Sequence, residues 1–464
     1  MYYILNKSVA LRSWKLSPYA FYIRGVRDAQ RLTKEEYEIL KMCDSLHDIE
    51  DSDVLKKLVE ECFAIPCKKG EYSLLDWQDK SYDNRYFPAI NWMITGKCNY
   101  NCLHCFNAAD NSPLQSEWTL DEAKSLLDQA RDCGINAFTI TGGEPMLHKN
   151  FFEILEAIYE RNMFVYELNT NGYFISQEAL DHMKKIGCKP LMKISFDGIS
   201  HHDWLRNKKG AEEDALRAIS LCVKNGFKVK VQTNVHRYNL DSIQKTLEIL
   251  DEMGVDETRI IRTSEAPRWL NNSRGATLSL KEYTDAMYEL WQEYISENHK
   301  MNLTSWQIGS LTPKDKTFKL SAVECPNGTY RDDAPVCKGN RGMIAIGANG
   351  HVYPCHQLSG YYEQHNDILG DLKKESLKIL LSSGKYVNEV CTTLKDLKEN
   401  NEKCRNCKYF KYCCGGCRAI ALAITNNKLA PDPSKCFFFE NDYYNKFVEM
   451  LKGWKNLSLI ENEK

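Results

Sequence analysis

Three cysteines stand close together at Cys98, Cys102 and Cys105, in the spacing C-x3-C-x2-C. Three thiolates so near one another in the chain can bind one face of a cubane iron–sulfur cluster and leave its fourth iron without a protein ligand. A tetrahedral zinc site would require a fourth side chain, which His104 could supply. The spacing alone therefore leaves two kinds of metal centre open, an iron–sulfur cluster and a zinc knuckle.

A second set of cysteines lies nearer the C-terminus and is far more extended. It starts at Cys337, reaches Gly350 after twelve residues and Cys355 after four more. A zinc ribbon could use two of the later cysteines, but it would leave three others without a role. The later members are Cys404, Cys407, Cys413, Cys417 and Cys436, in the spacing C-x2-C-x5-C-x3-C-x18-C.

The composition limits the classes of protein to consider. The 464 residues contain 19 cysteines, an odd number, and no N-terminal secretion signal is evident, so a disulfide framework is not expected. Lysine plus arginine (61) nearly balance aspartate plus glutamate (63), which gives no electrostatic reason to expect nucleic acid as a partner. The mean hydropathy is −0.50 and no apolar run reaches membrane-spanning length, so we expect a cytoplasmic protein with no membrane partner.

The cysteines outside these two sets have a plainer interpretation. Cys414, directly beside Cys413, is expected to be a spare thiol. Seven others lie in helix-like or loop contexts, where cysteine usually behaves as a small buried hydrophobic residue. These seven are Cys43, Cys62, Cys67, Cys133, Cys188, Cys222 and Cys391.

Between residues 89 and 263 the pattern alternates six times between a short strand and an amphipathic helix. Such alternation implies an α/β fold with parallel strands and right-handed crossovers. Six units without two more favour an open, partial (βα)6 barrel, whose ligands are expected at the carboxyl ends of the strands. The predicted strands are Ala89–Thr95, Ala137–Thr141, Phe164–Asn169, Leu191–Phe196, Val229–Val235 and Thr258–Thr263.

The second predicted strand ends in the sequence Thr-Gly-Gly-Glu-Pro, where paired glycines allow a ligand to approach the backbone closely. Together with the three cysteines after the first strand, this turn resembles the radical S-adenosylmethionine (SAM) superfamily. The resemblance implies that the three cysteines hold a [4Fe–4S] cluster whose open iron binds SAM. It also implies that the turn meets the methionyl amine of SAM through Gly142, Gly143, Glu144 and Pro145.

The same resemblance suggests further SAM contacts. Family members usually carry an aromatic residue near the adenine just before the third cysteine, and this chain has His104 there. Asn169 after the third strand, Ser195 at the end of the fourth, and Arg206 are the expected contacts to the ribose or carboxylate of SAM.

The extended cysteine set resembles the SPASM domain, which holds auxiliary [4Fe–4S] clusters, so the chain is expected to carry three clusters in all. Seven ligands are one short of two complete sets, and Cys325 is expected to be the eighth. The alternative is an open iron that faces the substrate. The implied ligands are Cys337, Cys355 and Cys417 for the first auxiliary cluster, and Cys404, Cys407, Cys413 and Cys436 for the second.

Residues 1–85 have a strand-like start and two helical patterns, the first opened by a capping box at Thr33 and the second by Ser52. Residues 75–80 show no periodicity and are expected to be a linker. The order resembles the winged-helix-like peptide-recognition element of peptide-modifying enzymes, which binds a leader peptide along a strand edge. The alternative is a packing extension of the barrel. The expected domains are this module, a radical SAM barrel over 86–265, and a bridging region with the SPASM domain over 266–464.

By resemblance to radical SAM enzymes, an electron passed to the first cluster cleaves SAM, and the 5′-deoxyadenosyl radical abstracts hydrogen from the substrate. Two auxiliary clusters favour an oxidation, because they can accept an electron from the substrate. The combined resemblance is to sactisynthase-like maturases of ribosomally synthesised peptides. A Cys thioether is the first expected product and a carbon–carbon crosslink the second. The implied partners are a precursor peptide, bound through its leader, and an electron donor such as flavodoxin or ferredoxin.

Two other interpretations remain. The sulfatase-maturing branch is similar, but it carries an acidic residue directly after the cysteine at the place of Cys355, where this chain has His356. Tyr353 and His356 flank that cysteine, and the sequence assigns no catalytic base. A non-catalytic metal-binding scaffold for peptides would keep the cysteines but has no use for the Gly142–Pro145 turn at a strand end.

Overall fold

The computed structural model describes residues 1–106, 115–263, 267–320, 330–382 and 384–458. The N-terminal module comes first and contains two small sheets and two helices. Its bounds are β1 (Tyr2–Leu5), β2 (Val9–Trp14), β3 (Ser17–Ile23), β4 (Gln30–Arg31), α1 (Lys34–Lys41), α2 (Asp53–Glu60), β5 (Ala64–Cys67) and β6 (Asp79–Tyr82). Strand β1 pairs with β5, and the other sheet has the order β4-β3-β2-β6.

Both predicted helix starts in this module are confirmed. The hydroxyl of Thr33 accepts the N–H of Glu36 (3.1 Å), and the Glu36 carboxylate accepts the N–H of Thr33 (2.8 Å), which completes the capping box. Ser52 caps α2 by accepting the N–H of Leu55 (3.1 Å). The winged-helix assignment of the module stays a prediction.

The predicted linker at residues 75–80 is wrong, because β6 begins within it and pairs parallel with β2. The side-chain amide of Gln78 donates to the carbonyls of Asn6 and Val9, each at 3.0 Å. The carbonyl of Gln78 accepts the N–H of Leu11 (2.6 Å). These partners are remote in the sequence, so no local periodicity announces the strand.

The six predicted strands of the barrel are confirmed, with ends that shift by at most one residue, and they run parallel. Their bounds are β7 (Ala89–Thr95), β8 (Ala137–Gly142), β9 (Phe164–Thr170), β10 (Leu191–Ser195), β11 (Val229–Val235) and β12 (Glu257–Arg262). The helices between and after them are α3 (Leu120–Asp132), α4 (Phe151–Glu160), α5 (Gln177–Ile186), α6 (His202–Arg206), α7 (Ala211–Lys224), α8 (Ile243–Glu252), α9 (Pro267–Asn272) and α10 (Leu280–Ser296).

The two faces of the barrel strands differ in polarity. In β10, Met192 and Ile194 are buried in the main hydrophobic core, while Lys193 and Ser195 lie on the opposite face. The helices cover the apolar face, so the polar face lines the concave side of the open sheet. Because parallel strands end at one edge, the loops after β7 to β12 meet on that edge.

The sheet continues beyond the six predicted strands on both sides. Among the described residues it has thirteen strands, in the order β18-β17-β16-β7-β8-β9-β10-β11-β12-β13-β14-β15-β19. The added strands are β13 (Asn302–Ser305), β14 (Gly309–Thr312), β15 (Thr317–Lys319), β16 (Met343–Ile346), β17 (His351–Tyr353), β18 (Gly370–Asp371) and β19 (Lys455–Asn456). The region after residue 265 thus shares the sheet of the barrel.

Short helices dominate the remaining chain. They are α11 (Lys338–Gly342), α12 (Ser359–Gln364), α13 (Leu377–Ser382), α14 (Gly384–Val390), α15 (Leu394–Glu399), α16 (Glu402–Arg405), α17 (Phe410–Cys413), α18 (Arg418–Thr425), α19 (Pro433–Glu440) and α20 (Tyr443–Met450). Within the described ranges, no helix is both long enough and apolar enough to cross a membrane.

The N-terminal module is docked on the barrel beside the end of α3. Trp14 is fully buried, stacks on Tyr82 (ring centroids 5.7 Å apart) and donates from Nε1 to the carbonyl of Cys133 (3.4 Å). The hydroxyl of Tyr22 donates to the carbonyl of Gly134 (3.3 Å). A Cβ on Gly134 would lie 2.6 Å from both Trp14 and Tyr82, and its φ is +74°, so this close approach requires glycine.

The seven cysteines expected to be buried divide into three groups. Cys43, Cys133, Cys188 and Cys222 are buried, as predicted, while Cys67 and Cys391 are half-buried. The prediction is wrong for Cys62, which is exposed. It lies just beyond the last residue of α2 with φ +59°, where the chain has left the buried face of the helix.

Candidate active site

The loop that carries Cys98, Cys102 and Cys105 follows β7 at the carboxyl edge of the sheet, as the sequence predicts. The N–H of Tyr100 donates to Sγ of Cys98 (3.4 Å), and the N–H of Cys105 donates to the carbonyl of Cys102 (3.3 Å). All three thiols keep some exposure to solvent. The three predicted cluster ligands therefore share one loop at the open mouth of the barrel.

The turn after β8 is hydrogen-bonded to the start of this cysteine loop. The N–H of Gly143 donates to the carbonyl of Thr95 (2.8 Å), and the N–H of Glu144 donates to that of Lys97 (2.8 Å). A Cβ on Gly142 would lie 2.3 Å from the Thr95 oxygen, and one on Gly143 would lie 2.2 Å from the Lys97 oxygen. The turn can thus approach the cysteine loop only because both positions are glycine.

The Glu144 side chain is fully buried and connects the turn to the end of β9 through hydrogen bonds. Its carboxylate accepts hydrogen bonds from the Thr170 hydroxyl (2.9 Å), the N–H of Asn171 (2.8 Å) and the N–H of Met146 (3.2 Å). Burial raises the pKa of Glu144 to about 7, although these three hydrogen bonds favour the charged form. Pro145 is buried at the start of a short 3₁₀ helix. A SAM contact by these two residues stays a prediction.

Asn169 and Ser195 lie on the concave face near the carboxyl ends of their strands. Asn169 is opposite Lys193 of β10, and Ser195 is opposite Gln232 of β11. Oδ1 of Asn169 is buried, and no described residue donates a hydrogen bond to it. A buried amide oxygen without a donor is costly, so this atom suits the hydroxyl or N–H of a ligand.

Arg206 is held beside the cysteine loop by an acidic residue that the sequence did not indicate. Its guanidinium makes a two-point ion pair with the fully buried Asp197 (Nε to Oδ2 2.7 Å, Nη2 to Oδ1 3.1 Å). Nη1 of Arg206 also lies 3.9 Å from Sγ of Cys102. Burial by itself would raise the pKa of Asp197, but the charge of Arg206 and a hydrogen bond from His202 hold it far below its usual range.

His104 also lies in this charged neighbourhood. Burial, together with the nearby Arg206 cation, lowers the pKa of His104 to about 3, so the imidazole is neutral. Its Nδ1 is buried and accepts no hydrogen bond from a described residue. The ring is therefore available to a ligand, and its place near the adenine stays a prediction.

The cysteines predicted to hold the first auxiliary cluster influence one another electrostatically, and their role as ligands stays a prediction. Burial raises the pKa of Cys355, and the thiols that raise it further are Cys417 and Cys337, the other members of the first set. Cys355 follows β17, Cys337 directly precedes α11, and Cys417 caps α18. Cys325 lies outside the described residues, so its role as the eighth ligand stays a prediction.

The second auxiliary set shows the same electrostatic influence. Burial, together with the neighbouring thiols of Cys436 and Cys407, raises the pKa of Cys404 to about 11. Burial likewise raises the pKa of Cys413 to about 12, again with Cys404 and Cys407 as the neighbouring thiols. The thiol of Cys414 instead donates to the carbonyl of Lys411 (3.7 Å). No described group of three or more Cys, His, Asp or Glu side chains is arranged to hold a single metal ion.

The two residues that flank Cys355, Tyr353 and His356, both make hydrogen bonds to other parts of the chain. The hydroxyl of Tyr353 donates to Glu363, so it is turned away from the cysteines. His356 is 8% exposed and donates from Nε2 to the carbonyl of Asn91 in β7 (3.0 Å). Burial lowers the pKa of His356 to about 4, so its ring is neutral.

Two known families match the chain by sequence. The radical SAM superfamily matches residues 92–250, which contain the first cysteine loop, the glycine turn and Arg206. The SPASM family, an iron–sulfur cluster-binding domain, matches residues 337–408. This chain is a radical SAM enzyme with a SPASM domain. SAM and iron–sulfur clusters are therefore its cofactors.

Individual proteins similar to this radical SAM enzyme act on two kinds of substrate. The AdoMet-dependent heme synthase of Methanosarcina barkeri is 28% identical over 352 residues, which cover 74% of this chain and 95% of that protein. The PqqA peptide cyclase of Granulibacter bethesdensis is 23% identical over 348 residues, covering 74% and 85%. Streptococcus suis SuiB, solved in complex with the precursor peptide SuiA, has 15% identity and a TM-score of 0.65, covering 94% of this chain and 99% of SuiB. That likeness shows a shared fold.

The residues of this radical SAM enzyme suit the cofactors. Three thiols share one loop, and the adjoining turn has no room for a side chain. No described residue is hydrogen-bonded to the buried Oδ1 of Asn169 or to the buried Nδ1 of His104. Sequence reasoning missed Asp197, which orients Arg206. The available signal was an acidic residue two positions after Ser195, at the carboxyl end of a barrel strand.

Proposed function

We propose that this radical SAM enzyme installs an oxidative crosslink, with a Cys thioether as the leading product, in a ribosomally synthesised precursor peptide. The observation that carries the proposal is the N-terminal module, docked on the barrel through Trp14 and Gly134. The likeness to peptide-bound SuiB covers 94% of the chain and so includes most of this module. The heme synthase and PqqA cyclase matches cover 74%. A separate module suits a peptide that is held at a distance from the reacting residue.

The leader of the peptide would pair with β4, the edge of the sheet β4-β3-β2-β6. Both residues of β4 are exposed. The N–H of Leu32 donates to the carbonyl of Tyr19 in β3 (3.0 Å), so the N–H of Arg31, one residue earlier, points away from the sheet. An outward N–H on an exposed edge strand is what an added peptide strand uses.

The first cluster would be held by Cys98, Cys102 and Cys105, with SAM against Gly142 and Gly143. When bound, the cluster and SAM together supply a carbon radical that removes hydrogen from an unactivated carbon. Asn169 and Ser195 would orient the SAM ribose or carboxylate from the concave face. Arg206 is held by Asp197 and would donate to the sulfur of Cys102.

The seven SPASM cysteines, completed by Cys325, would hold two auxiliary clusters, so the enzyme would bind three [4Fe–4S] clusters. Formation of a thioether replaces one C–H and one S–H bond by a C–S bond, and the peptide loses two electrons and two protons. One electron leaves with the abstracted hydrogen atom, and the auxiliary clusters are suitable acceptors for the other. Flavodoxin or ferredoxin is the proposed donor to the first cluster.

A second candidate function is the oxidation of a heme-type tetrapyrrole. The observation that favours it is the 28% identity to a heme synthase, higher than the 23% identity to the peptide cyclase. A tetrapyrrole has no peptide strand that could pair with the exposed edge strand β4, so the N-terminal module would have no such role. We therefore place this function second.

The decisive test is an anaerobic reaction of the full-length enzyme with SAM, a reductant and the precursor peptide encoded beside its gene. We expect a crosslinked peptide that has lost two hydrogen atoms and whose cysteine no longer reacts with an alkylating reagent. The Cys98→Ala variant is the control and should leave the peptide unchanged. An unchanged peptide with the wild-type enzyme, together with conversion of an iron tetrapyrrole, would establish the second function instead.

The role of the module is tested with a matched pair of variants. Arg31→Pro removes the outward N–H of β4, whereas Arg31→Ala keeps it and removes the same charge. Because one peptide hydrogen bond is lost, we expect Arg31→Pro to weaken leader binding by about 3- to 10-fold relative to Arg31→Ala. Equal affinities of the two variants for the leader would exclude β4 as the binding edge.

A further inference from the structure

A cavity of about 350 Å³ opens near the amino ends of the parallel strands β11, β12 and β13. Charged and aromatic side chains line it, together with the hydroxyl-bearing residues of the β13–β14 hairpin. The charged and aromatic residues of the lining are Lys230, Glu257, Arg259, Trp306 and Lys319. The site residues described above do not include any of them.

The cavity belongs to the same face of the sheet as the predicted SAM contacts. Ser195, Gln232, Arg259 and Thr304 are neighbours in register across four adjacent strands. Side chains of register neighbours in a parallel sheet lie on one face, so Arg259 and Ser195 both face the concave side. The cavity therefore lies on the same face of the sheet as the predicted SAM contacts, nearer the amino ends of the strands.

The charges around the cavity do not cancel. Glu257 is engaged by Lys230 (2.7 Å) and by the Thr304 hydroxyl (2.8 Å). Glu167, the other carboxylate that acts on Arg259, is paired with Lys193 (3.3 Å). Each of these carboxylates thus has its own lysine.

Arg259 has no such carboxylate partner among the described residues. Its guanidinium has no hydrogen bond or ion pair to any other residue in the described part of the chain; it lies over the ring of Trp306, 4.2 Å from the centroid. The backbone of Trp306 is held at two points. Its main-chain N–H donates to the Ile260 carbonyl (2.8 Å), and its main-chain carbonyl accepts the hydroxyl of Tyr283 (2.9 Å). Stacking on a ring occupies a face of the guanidinium and leaves the N–H groups at its edge for a partner.

The environment of Arg259 also connects the cavity to the auxiliary site. Burial lowers the pKa of Arg259, whereas Glu167, Glu257, Tyr283 and the thiol of Cys417 favour its charged form. Cys417 is one of the predicted auxiliary ligands. Arg259 therefore lies near enough to this cysteine for their charges to interact.

We propose that Arg259 binds a carboxylate of the substrate in this cavity and thereby positions the substrate. A half-buried cation without a protein anion is costly, and a carboxylate matches the guanidinium edge with two parallel hydrogen bonds. For a precursor peptide, which rests on the proposed function, the carboxylate belongs to an Asp or Glu side chain or to the C-terminus. The chemistry is the same in both cases.

The test compares three full-length enzymes, namely the wild type, Arg259→Met and, as a matched surface control, Arg237→Met. Arg237 pairs with Glu282 at the surface and lies outside the cavity. The probes are the natural precursor peptide, the same peptide with a C-terminal amide, and versions with Asp or Glu near the crosslink replaced by Asn or Gln. Affinity is measured by calorimetry with SAM present, and crosslinking by mass spectrometry.

We expect Arg259→Met to weaken binding of the natural peptide by about 10- to 100-fold, because a charged hydrogen-bonded pair is lost. One of the neutralised peptides should bind the wild type more weakly by the same factor. The same peptide should bind Arg259→Met no more weakly than the natural peptide does. The group neutralised in that peptide is then the carboxylate that Arg259 binds. Full affinity of the wild type for every neutralised peptide would overturn the proposal even if Arg259→Met does not fold. Failure of the wild type to crosslink the natural peptide would count against the proposed function instead.

Discussion

The first cysteine loop and the SPASM cysteines present the same ligand atoms through opposite structural means. Cys98, Cys102 and Cys105 come from one loop of eight residues, held in place by backbone hydrogen bonds to the neighbouring glycine turn. The auxiliary cysteines are spread over a hundred residues, from Cys337 to Cys436, and lie at the ends of a strand and several short helices. The first site depends on one close approach between two loops, and the second on the packing of many elements.

This difference extends to the acidic residues that support each site. Near the first loop, Glu144 and Asp197 are fully buried and connect the ends of separate barrel strands. In the SPASM region, Asp432 caps α19 and accepts the N–H of Cys417 (2.8 Å). We expect changes at the first site to be severe and confined to SAM chemistry. Changes at the second should be milder for any single contact.

The largest expected effect is the loss of the first cluster. The triple variant Cys98→Ala, Cys102→Ala, Cys105→Ala should abolish SAM cleavage, because no other described thiols lie at the carboxyl edge of the barrel strands. The iron content should fall from about twelve to about eight irons per chain, since each [4Fe–4S] cluster carries four. Loss of all iron would mean that the two sites do not form independently, which would break the comparison.

Asp197→Asn should have the next largest effect. It leaves Arg206 buried without its anion, and breaking such a buried pair costs about 3–5 kcal/mol of unfolding free energy. Asp128→Asn is the control, because Asp128 is 44% exposed in its pair with Arg161 and should cost below about 1 kcal/mol. Denaturant unfolding of both variants measures the difference.

The depressed pKa of Asp197 also predicts that the stability of the enzyme depends on pH. The pKa of Asp197 is depressed in the folded enzyme, so its stabilising contribution is fully present above the ordinary aspartate pKa of about 4. That contribution is lost as the pH falls toward the depressed folded pKa. Thermal unfolding of the wild type between pH 6 and 3 should therefore show an acid-side loss that is smaller in Asp197→Asn. Parallel curves for the two proteins would contradict this assignment.

Gly143→Ala should be less costly but more specific. The added Cβ would lie 2.2 Å from the carbonyl oxygen of Lys97, and such overpacking costs about 1–3 kcal/mol. We expect weaker SAM binding, with the auxiliary iron retained. Gly342→Ala in α11 is the matched control, because its Cβ would meet nothing within 4 Å. Unchanged SAM affinity of Gly143→Ala would separate the turn from the SAM site.

The smallest effect is expected in the SPASM region at Asp432. Asp432→Ala removes the cap of α19 and the acceptor for the N–H of Cys417, at a cost of about 1–2 kcal/mol. Asp432→Asn keeps a capping oxygen and should recover most of that loss. Visible and electron paramagnetic spectra of the auxiliary clusters would show whether the Cys417 environment changes. If Asp432→Ala lost more unfolding free energy than Gly143→Ala, the expected order of the two sites would be reversed.

Much of the barrel was predictable because its signals are local. Strands such as Val229–Val235 are continuous apolar or alternating runs between amphipathic helices, and their ends follow from the next helix cap. Thr119 and Glu122 form the capping box of α3 within four residues. The strands β6 and β16 were not predictable in this way, because each is defined by a partner far away in the chain.

The sequence by itself indicated the candidate ligands and their order. Cys98 to Cys105, the Gly142–Pro145 turn and the spacing from Cys337 to Cys436 are chemical patterns that do not depend on packing. Only the tertiary structure decided which charges meet. Asp197 pairs with Arg206, and Glu257 pairs with Lys230. Arg259 has no ion pair with any residue in the described ranges. The physical reason is that Coulomb and hydrogen-bond energies depend on distance and burial, and these arise from strand register across the whole sheet.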